Sequence, residues 1–308
     1  MQRFRFTESL LLPTLRPMFS IVLSVLLMGM LPVAGPPSPD QAALQSLNIA
    51  APLPLSGSAS LLLDNLGQRL TASGVVVMDL ATAQTVYERH ADIPRPMGSL
   101  TKLMTALIIV ENHGMEEVVT VPAEAAGTPG SSAHLVPGEQ YMVGDLLKAL
   151  LVPSANDAAR TLAVFHAGSE EEFVMQMNAR ARMLGLRSTS FANAAGFDDS
   201  EQYTTPRDLA WLAAFVLQKP ELRQRLSLPS ASIRSLEGRV MGFPNTNVLL
   251  RPGSAVEAGK TGTTDAAGQC LFSLVHEGGR EEIVVLLGSR SRFSDMRSVM
   301  AVLPSLFL

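Results

Sequence analysis

The order of strand and helix patterns along the chain constrains its fold more than any other feature. Two short β-branched runs near residue 80 predict a hairpin, and three more strand patterns lie beyond residue 250. The predicted strands are 74–80, 85–90, 255–263, 269–276 and 282–288. The block from about 115 to 225 has apolar residues at helical spacing instead. We therefore expect an α/β (α+β) fold in which both chain ends build one antiparallel sheet around a helical insertion.

Apolar residues at helical spacing, both within this block and outside it, predict six helices. One begins near Ser99, and the others are 141–152, 157–167, 170–184, 206–217 and 294–303. Gly278-Gly279 separates the last two strands and predicts a tight hairpin turn between them.

Composition excludes several classes of function. The 308 residues carry a formal charge of −4, which provides no basic surface for nucleic acid. The single cysteine, Cys270, excludes an intrachain disulfide and a Cys-rich metal site. The five histidines lack the spacing of a zinc hydrolase, so we expect neither a metal nor another cofactor.

The N-terminal region has the pattern of a targeting segment. Three arginines precede the uncharged apolar run 18–34, which is typical of a signal peptide or of an uncleaved membrane anchor. Residues 35–57 are rich in Pro, Ser and Ala and predict a linker. The folded domain is then expected over 58–308.

The first candidate catalytic pair is Ser99 and Lys102. A lysine three residues along a helix lies on the same face as the serine. A neutral lysine amine can activate a serine hydroxyl for nucleophilic attack, provided that its surroundings lower its pKa. The alternative is a serine that caps the helix, followed by a solvated lysine.

Two further short motifs carry polar groups suited to the same chemistry. Ser154-x-Asn156 follows Pro153 between two predicted helices, where a hydroxyl could relay a proton and an amide could hold a substrate. Ser154 could instead cap the next helix. Lys260-Thr-Gly-Thr263 lies on a predicted strand, and the glycines at 259 and 262 would allow a peptide to approach its edge. Lys260 could also be an exposed edge lysine.

The three motifs occur in one order, and together they resemble the active-site-serine penicillin-recognising enzymes. Over residues 70–300 the resemblance is to the low-molecular-mass serine D-alanyl-D-alanine carboxypeptidases. It rests on four stretches, namely 99–106 (SLTKLMTA), 151–159 (LVPSANDAA), 183–186 (MLGL) and 260–268 (KTGTTDAAG). It implies a five-stranded antiparallel sheet flanked by helices, with a helical subdomain.

The resemblance also implies a mechanism without a cofactor. Ser99 would attack the terminal D-Ala-D-Ala bond of a peptidoglycan stem peptide, with Lys102 as general base and Ser154 as proton donor to the leaving D-alanine. The backbone N–H groups of Ser99 and Thr263 would bind the oxyanion. The substrate would also be held by Asn156, Lys260, Thr261, Gly262 and Arg292, with Arg290 as the alternative to Arg292. β-Lactam antibiotics would acylate the same serine, as covalent inhibitors.

Three other functions fit parts of the pattern. Short relatives of this type also resemble D-alanyl-D-alanine endopeptidases, which keep the same motifs. A class A β-lactamase would need a glutamate in the loop at 187–195, and none is present. A non-catalytic penicillin or peptide sensor would be expected to lack part of the machinery. The sequence ends at Leu308, so we expect a short form in which membrane attachment, if any, is N-terminal, with the domain outside the cytoplasm.

Overall fold

The structure is a computed structural model that describes residues 57–306, with side chains described over 61–305. The α-helices are α1 Gly57–Arg69, α2 Lys102–Asn112, α3 Ala123–Ala126, α4 Val143–Leu151, α5 Asn156–Ala167, α6 Glu170–Met183, α7 Pro206–Leu217, α8 Pro220–Leu226 and α9 Arg292–Val302. The strands are β1 Gly74–Asp79, β2 Thr85–Arg89, β3 Val118–Thr120, β4 Gln140–Met142, β5 Ser230–Arg234, β6 Val240–Pro244, β7 Val256–Thr264, β8 Gly268–Glu277 and β9 Arg280–Ser289. Short 3₁₀ turns cover Gly98–Thr101 and Leu303–Leu306.

The targeting segment predicted for 1–34, and the linker up to residue 56, lie outside the described residues. Within the described part, no helix combines the length and the apolar character needed to cross a bilayer.

The main sheet has five antiparallel strands in the order β2-β1-β9-β8-β7. The prediction of one sheet built from both chain ends is therefore confirmed, since β1 from the N-terminal half pairs with β9. Gly278 and Gly279 both have positive φ between β8 and β9, as a tight hairpin turn requires. β7 forms one edge of the sheet and carries the third motif.

Helices cover both faces of the sheet, because alternate strand residues point to opposite sides. Val76 and Met78 of β1 belong to the larger hydrophobic cluster, which includes α2 and the central helices. Val75 and Val77 belong to the second cluster, which includes side chains of α1 and α9. The N-terminal eight residues of α2 are buried, so the Ser99 turn sits on a rigid central helix.

The structure differs from the sequence prediction at several places, including the unpredicted helices α1, α3 and α8. Tyr141 and Met142 are not helical but form β4, because they pair with β3 before α4 begins at Val143. The central block therefore holds a small two-stranded sheet. A second small sheet, β5–β6, includes the strand Ser230–Arg234, which has no strong alternating pattern. Ser99 itself lies in a 3₁₀ turn that leads into α2.

Candidate active site

The structure brings the Ser99 hydroxyl and the Lys102 amine into direct contact. Lys102 Nζ lies 3.0 Å from Ser99 Oγ, which is hydrogen-bond distance. No side chain caps the 3₁₀ turn, and Lys102 is completely buried. The alternative of a capping serine followed by a solvated lysine is therefore wrong for this pair.

The other neighbours of Lys102 direct its lone pair towards the serine. Lys102 Nζ is 2.7 Å from the Asn156 Oδ1 atom and 2.5 Å from the Ala195 carbonyl oxygen. These two oxygens can only accept, so they take the two N–H groups of a neutral amine. The remaining lone pair then faces the Ser99 hydroxyl. Burial lowers the pKa of Lys102 to about 7, although the Asp157 carboxylate acts in the opposite direction. A large fraction of the protein molecules therefore carries Lys102 as a neutral amine near pH 7.

A second lysine–serine pair lies opposite the first. Lys260 Nζ on β7 donates to Ser154 Oγ at 2.7 Å and to the Thr261 carbonyl at 2.8 Å. Lys260 is fully buried, so it is not the exposed edge lysine considered as an alternative. Burial lowers the pKa of Lys260 well below its usual range, and the charges of Lys102 and Arg292 act in the same direction. An anion that binds beside Lys260 has the opposite effect: it raises the pKa of the amine and favours its charged form.

Ser154 is held in a strained backbone conformation. Its φ of +65° lies in the left-handed region, which costs a non-glycine residue on the order of 1–3 kcal/mol. The N-cap of α5 is Ala155, and no side chain caps that helix. Ser154 is 4% exposed and accepts its hydrogen bond from Lys260 rather than from the helix. Its role is therefore not that of a helix cap.

Asn156 joins the first lysine to the segment 129–135. Its Oδ1 atom accepts from Lys102, and its Nδ2 atom donates to the Pro129 carbonyl at 2.7 Å. The amide thus has one remaining N–H to offer a substrate. Gly130, with a φ of +83°, passes so close that a Cβ there would lie 2.8 Å from Asn156 Nδ2.

Close glycine packing places two backbone N–H groups near each other. A Cβ on Gly98 would lie 3.1 Å from the Thr263 nitrogen, and a Cβ on Gly262 would lie 3.1 Å from the Ser99 nitrogen. The Ser99 turn and the end of β7 can approach this closely only because both positions are glycine. The two N–H groups expected to bind an oxyanion therefore lie on adjacent segments of backbone.

The Arg292 side chain reaches the third motif, whereas Arg290 contacts Thr71 through its backbone. Arg292 Nη1 donates to Thr263 Oγ1 and to the Gly262 carbonyl, each at 2.6 Å. Arg290 is exposed, and its backbone N–H binds Thr71. The Thr261 hydroxyl lies 2.6 Å from that of Thr246. The arginine and threonine groups beside this part of β7 suit the binding of a carboxylate.

Sequence reasoning missed three residues that shape the site. Ala195 supplies a carbonyl to Lys102, and Gly196 lets its loop pack against the Ser99 turn, since a Cβ there would overlap Gly98. Thr246 holds the hydroxyl of Thr261. None of the three residues belongs to a motif. Gly196, which follows Asn193-Ala-Ala, is the one local signal in the sequence that a tight turn occurs there.

Cys270 is fully buried on β8, as its position in a predicted strand indicated. Burial raises the pKa of its thiol to about 11. The thiol therefore stays protonated near neutral pH and has no nucleophilic character there.

Comparison with known proteins connects this geometry to a family. The S11 peptidase family, described as D-alanyl-D-alanine carboxypeptidase, matches residues 64–291. The D-alanyl-D-alanine carboxypeptidase DacF of Bacillus subtilis is 32% identical over 223 residues, which cover 71% of this chain and 57% of that protein. The D-alanyl-D-alanine endopeptidase of Pseudomonas aeruginosa is 32% identical over 210 residues, covering 67% of each chain.

The fold comparison agrees with the sequence comparison. The crystal structure of the Streptomyces K15 DD-transpeptidase has a TM-score of 0.72 and 29% identity, and the match covers 77% of this chain and 97% of that one. The chain spans less than two thirds of the length of the Bacillus relative. Because the family match covers well over half of the sequence, this chain belongs to the S11 peptidase family, the D-alanyl-D-alanine carboxypeptidases.

Proposed function

We propose that this chain is a serine DD-peptidase that hydrolyses the terminal D-Ala-D-Ala bond of peptidoglycan stem peptides. The observation that carries the proposal is the contact between Ser99 Oγ and the buried Lys102 amine at 3.0 Å. A base with a pKa of about 7 is well matched to proton transfer at neutral pH.

Acylation begins when Ser99 attacks the carbonyl carbon of the scissile bond. Lys102 takes the hydroxyl proton, and the carbonyl oxygen gains negative charge between the N–H groups of Ser99 and Thr263. Ser154 then gives a proton to the departing D-alanine amine, and Lys260 behind it replaces that proton. Water hydrolyses the acyl-enzyme and regenerates Ser99.

The substrate lies along β7, which is an edge strand of the main sheet within the described part of the chain. Its terminal carboxylate is held by Lys260, Thr261 and Arg292, and Gly262 allows its backbone to approach closely. The free N–H of Asn156 donates to the substrate amide. β-Lactams acylate Ser99 because they present a reactive amide to the same groups.

A second candidate activity is endopeptidase cleavage of peptidoglycan cross-links. It is favoured by the Pseudomonas relative named an endopeptidase, which matches at the same identity as the Bacillus carboxypeptidase. Both activities use one acyl-enzyme chemistry and differ in the group that leaves.

The proposed substrate places the domain outside the cytoplasm. The arginine-flanked apolar segment 1–34 supports export, either as a signal peptide or as an anchor that tethers the domain to the inner membrane. N-terminal sequencing of the protein recovered from membrane and soluble fractions distinguishes the two.

The deciding experiment incubates the full chain with a monomeric pentapeptide muropeptide and with a cross-linked dimer, and identifies the products by mass. Loss of one D-alanine from the monomer identifies a carboxypeptidase. Cleavage of the dimer with an unchanged monomer identifies an endopeptidase. Ser99→Ala is the control and should abolish both. If penicillin labels Ser99 while neither peptide changes, the hydrolase proposal fails and a sensor function takes its place.

A further inference from the structure

A buried carboxylate lies next to the catalytic cluster and takes no part in the acylation steps described for Ser99, Lys102, Ser154 and Lys260. Asp157 is completely buried at the start of α5, one residue after Asn156. Its oxygens accept only from neutral groups, namely the Ser132 hydroxyl at 2.6 Å and the backbone N–H groups of Ala133, Leu135 and Ala158 at 2.9–3.1 Å. Among the described residues, no Lys, Arg or His forms an ion pair with it.

These hydrogen bonds fasten the segment 129–135 to the N-terminus of α5. This segment has no helix or strand of its own, so its position depends on such contacts. It also provides two carbonyl groups to Asn156, since Ser131 accepts from the Asn156 backbone and Pro129 from its side chain, both at 2.7 Å. The direction of the Asn156 amide, whose oxygen holds Lys102, therefore depends on a segment held by Asp157.

The negative charge of Asp157 also acts on Lys102. Because neutral donors do not cancel it, this charge favours the ammonium form of the lysine, and it opposes the effect of burial on the pKa of Lys102. The other titratable groups of the cluster are Lys260 on β7 and Arg292 on α9, and each acts on the other through its charge when protonated. Glu170 of α6, whose carboxylate binds the Ala194 N–H, is already paired with Arg160.

We propose that Asp157 is a positioning residue for Lys102, acting through the segment 129–135 and through its own unpaired charge. The inference rests on the proposed function. When Ser99 Oγ bonds to the substrate carbon, the carbonyl electron pair moves to the oxygen and the hydroxyl proton passes to Lys102 Nζ. Asp157 stabilises the ammonium that this step creates on a fully buried side chain, where a charge interaction is stronger than in bulk water.

The test separates charge from structure with three variants of the full chain. Asp157→Asn and Asp157→Ser remove the charge. Ser132→Ala removes one hydrogen bond from the same carboxylate but keeps its charge. For each folded variant, the rate of acylation by benzylpenicillin is followed between about pH 5 and pH 9. The ¹³Cε signal of Lys102, one of four lysines in the sequence, is titrated in parallel and assigned with Lys102→Arg.

Loss of the charge should move the acidic limb of the acylation profile, and the Lys102 titration, about one pH unit lower. The maximal rate should fall at least roughly tenfold, because a weaker base accepts the proton less readily. Ser132→Ala should lower the rate and leave both midpoints unchanged. A folded, charge-free variant that keeps the wild-type midpoints would overturn the proposal. The titration does not depend on turnover, so it still decides the question if the wild-type chain hydrolyses no peptide.

Discussion

Glu282 offers the most direct test of how burial controls charge in this fold. It lies on β9, opposite Asp79 of β1 and Val275 of β8, and is 1% exposed. Neither of its carboxyl oxygens has a hydrogen-bond partner among the described residues. Burial raises the pKa of Glu282 to about 7, and the nearby Asp79 carboxylate acts in the same direction.

The sign of the effect on stability follows from the two states. Unfolded Glu282 releases its proton near pH 4.5, whereas the folded protein keeps it until about pH 7. Between these values the native state binds more protons, so the free energy of unfolding falls as the pH rises. The loss levels off above pH 7. With about 1.4 kcal/mol for each unit of pKa, it amounts to at most roughly 3 kcal/mol.

Glu282→Gln removes this titration while keeping nearly the same shape. Relative to the wild type, we expect the variant to gain about 2–3 kcal/mol in free energy of unfolding between pH 5 and pH 8. Urea unfolding at several pH values measures the difference directly. Glu281→Gln is the matched control, since Glu281 precedes it on β9 and pairs with Arg223. The free energy of unfolding is plotted against pH for Glu282→Gln and for the wild type. If the two plots run parallel across this range, the Glu282 carboxyl is not buried as described.

Three further outcomes follow from the site. With a pKa of about 7 at Lys102, the rate of acylation by penicillin should rise about tenfold from pH 6 to pH 8. A rate that does not change with pH while the protein stays folded would contradict Lys102 as the base. Gly196→Ala should slow acylation more than tenfold and destabilise the fold by about 1–3 kcal/mol, because its Cβ would displace the Ser99 turn. Gly168→Ala, at a φ of +84° in open space, measures the backbone strain alone by urea unfolding. Cys270 should resist thiol reagents at pH 8 until the protein is unfolded, and rapid labelling of the native chain would show that it is accessible.

Much of the fold could be read from the sequence, because helix and strand periodicity is a local property. The hairpin of β1 and β2, the helices α5 to α7 and the three C-terminal strands lie within two residues of their predicted bounds. The start of α4 was misplaced because Tyr141 and Met142 continue an apolar pattern, and pairing with β3 decided their conformation. The strand Ser230–Arg234 likewise exists through its partner β6 rather than through its own pattern.

The sequence by itself determined the three motifs, their order and the element on which each lies. It did not determine that they meet, since Lys102 and Asn156 are 54 residues apart and Ser154 and Lys260 are 106 residues apart. Only the packed fold closes these distances and removes water from both lysines. Burial lowers their pKa values, and the same packing leaves Asp157 as an unpaired charge beside the base. The chemistry therefore depends on desolvation, which is a property of tertiary structure and not of any motif.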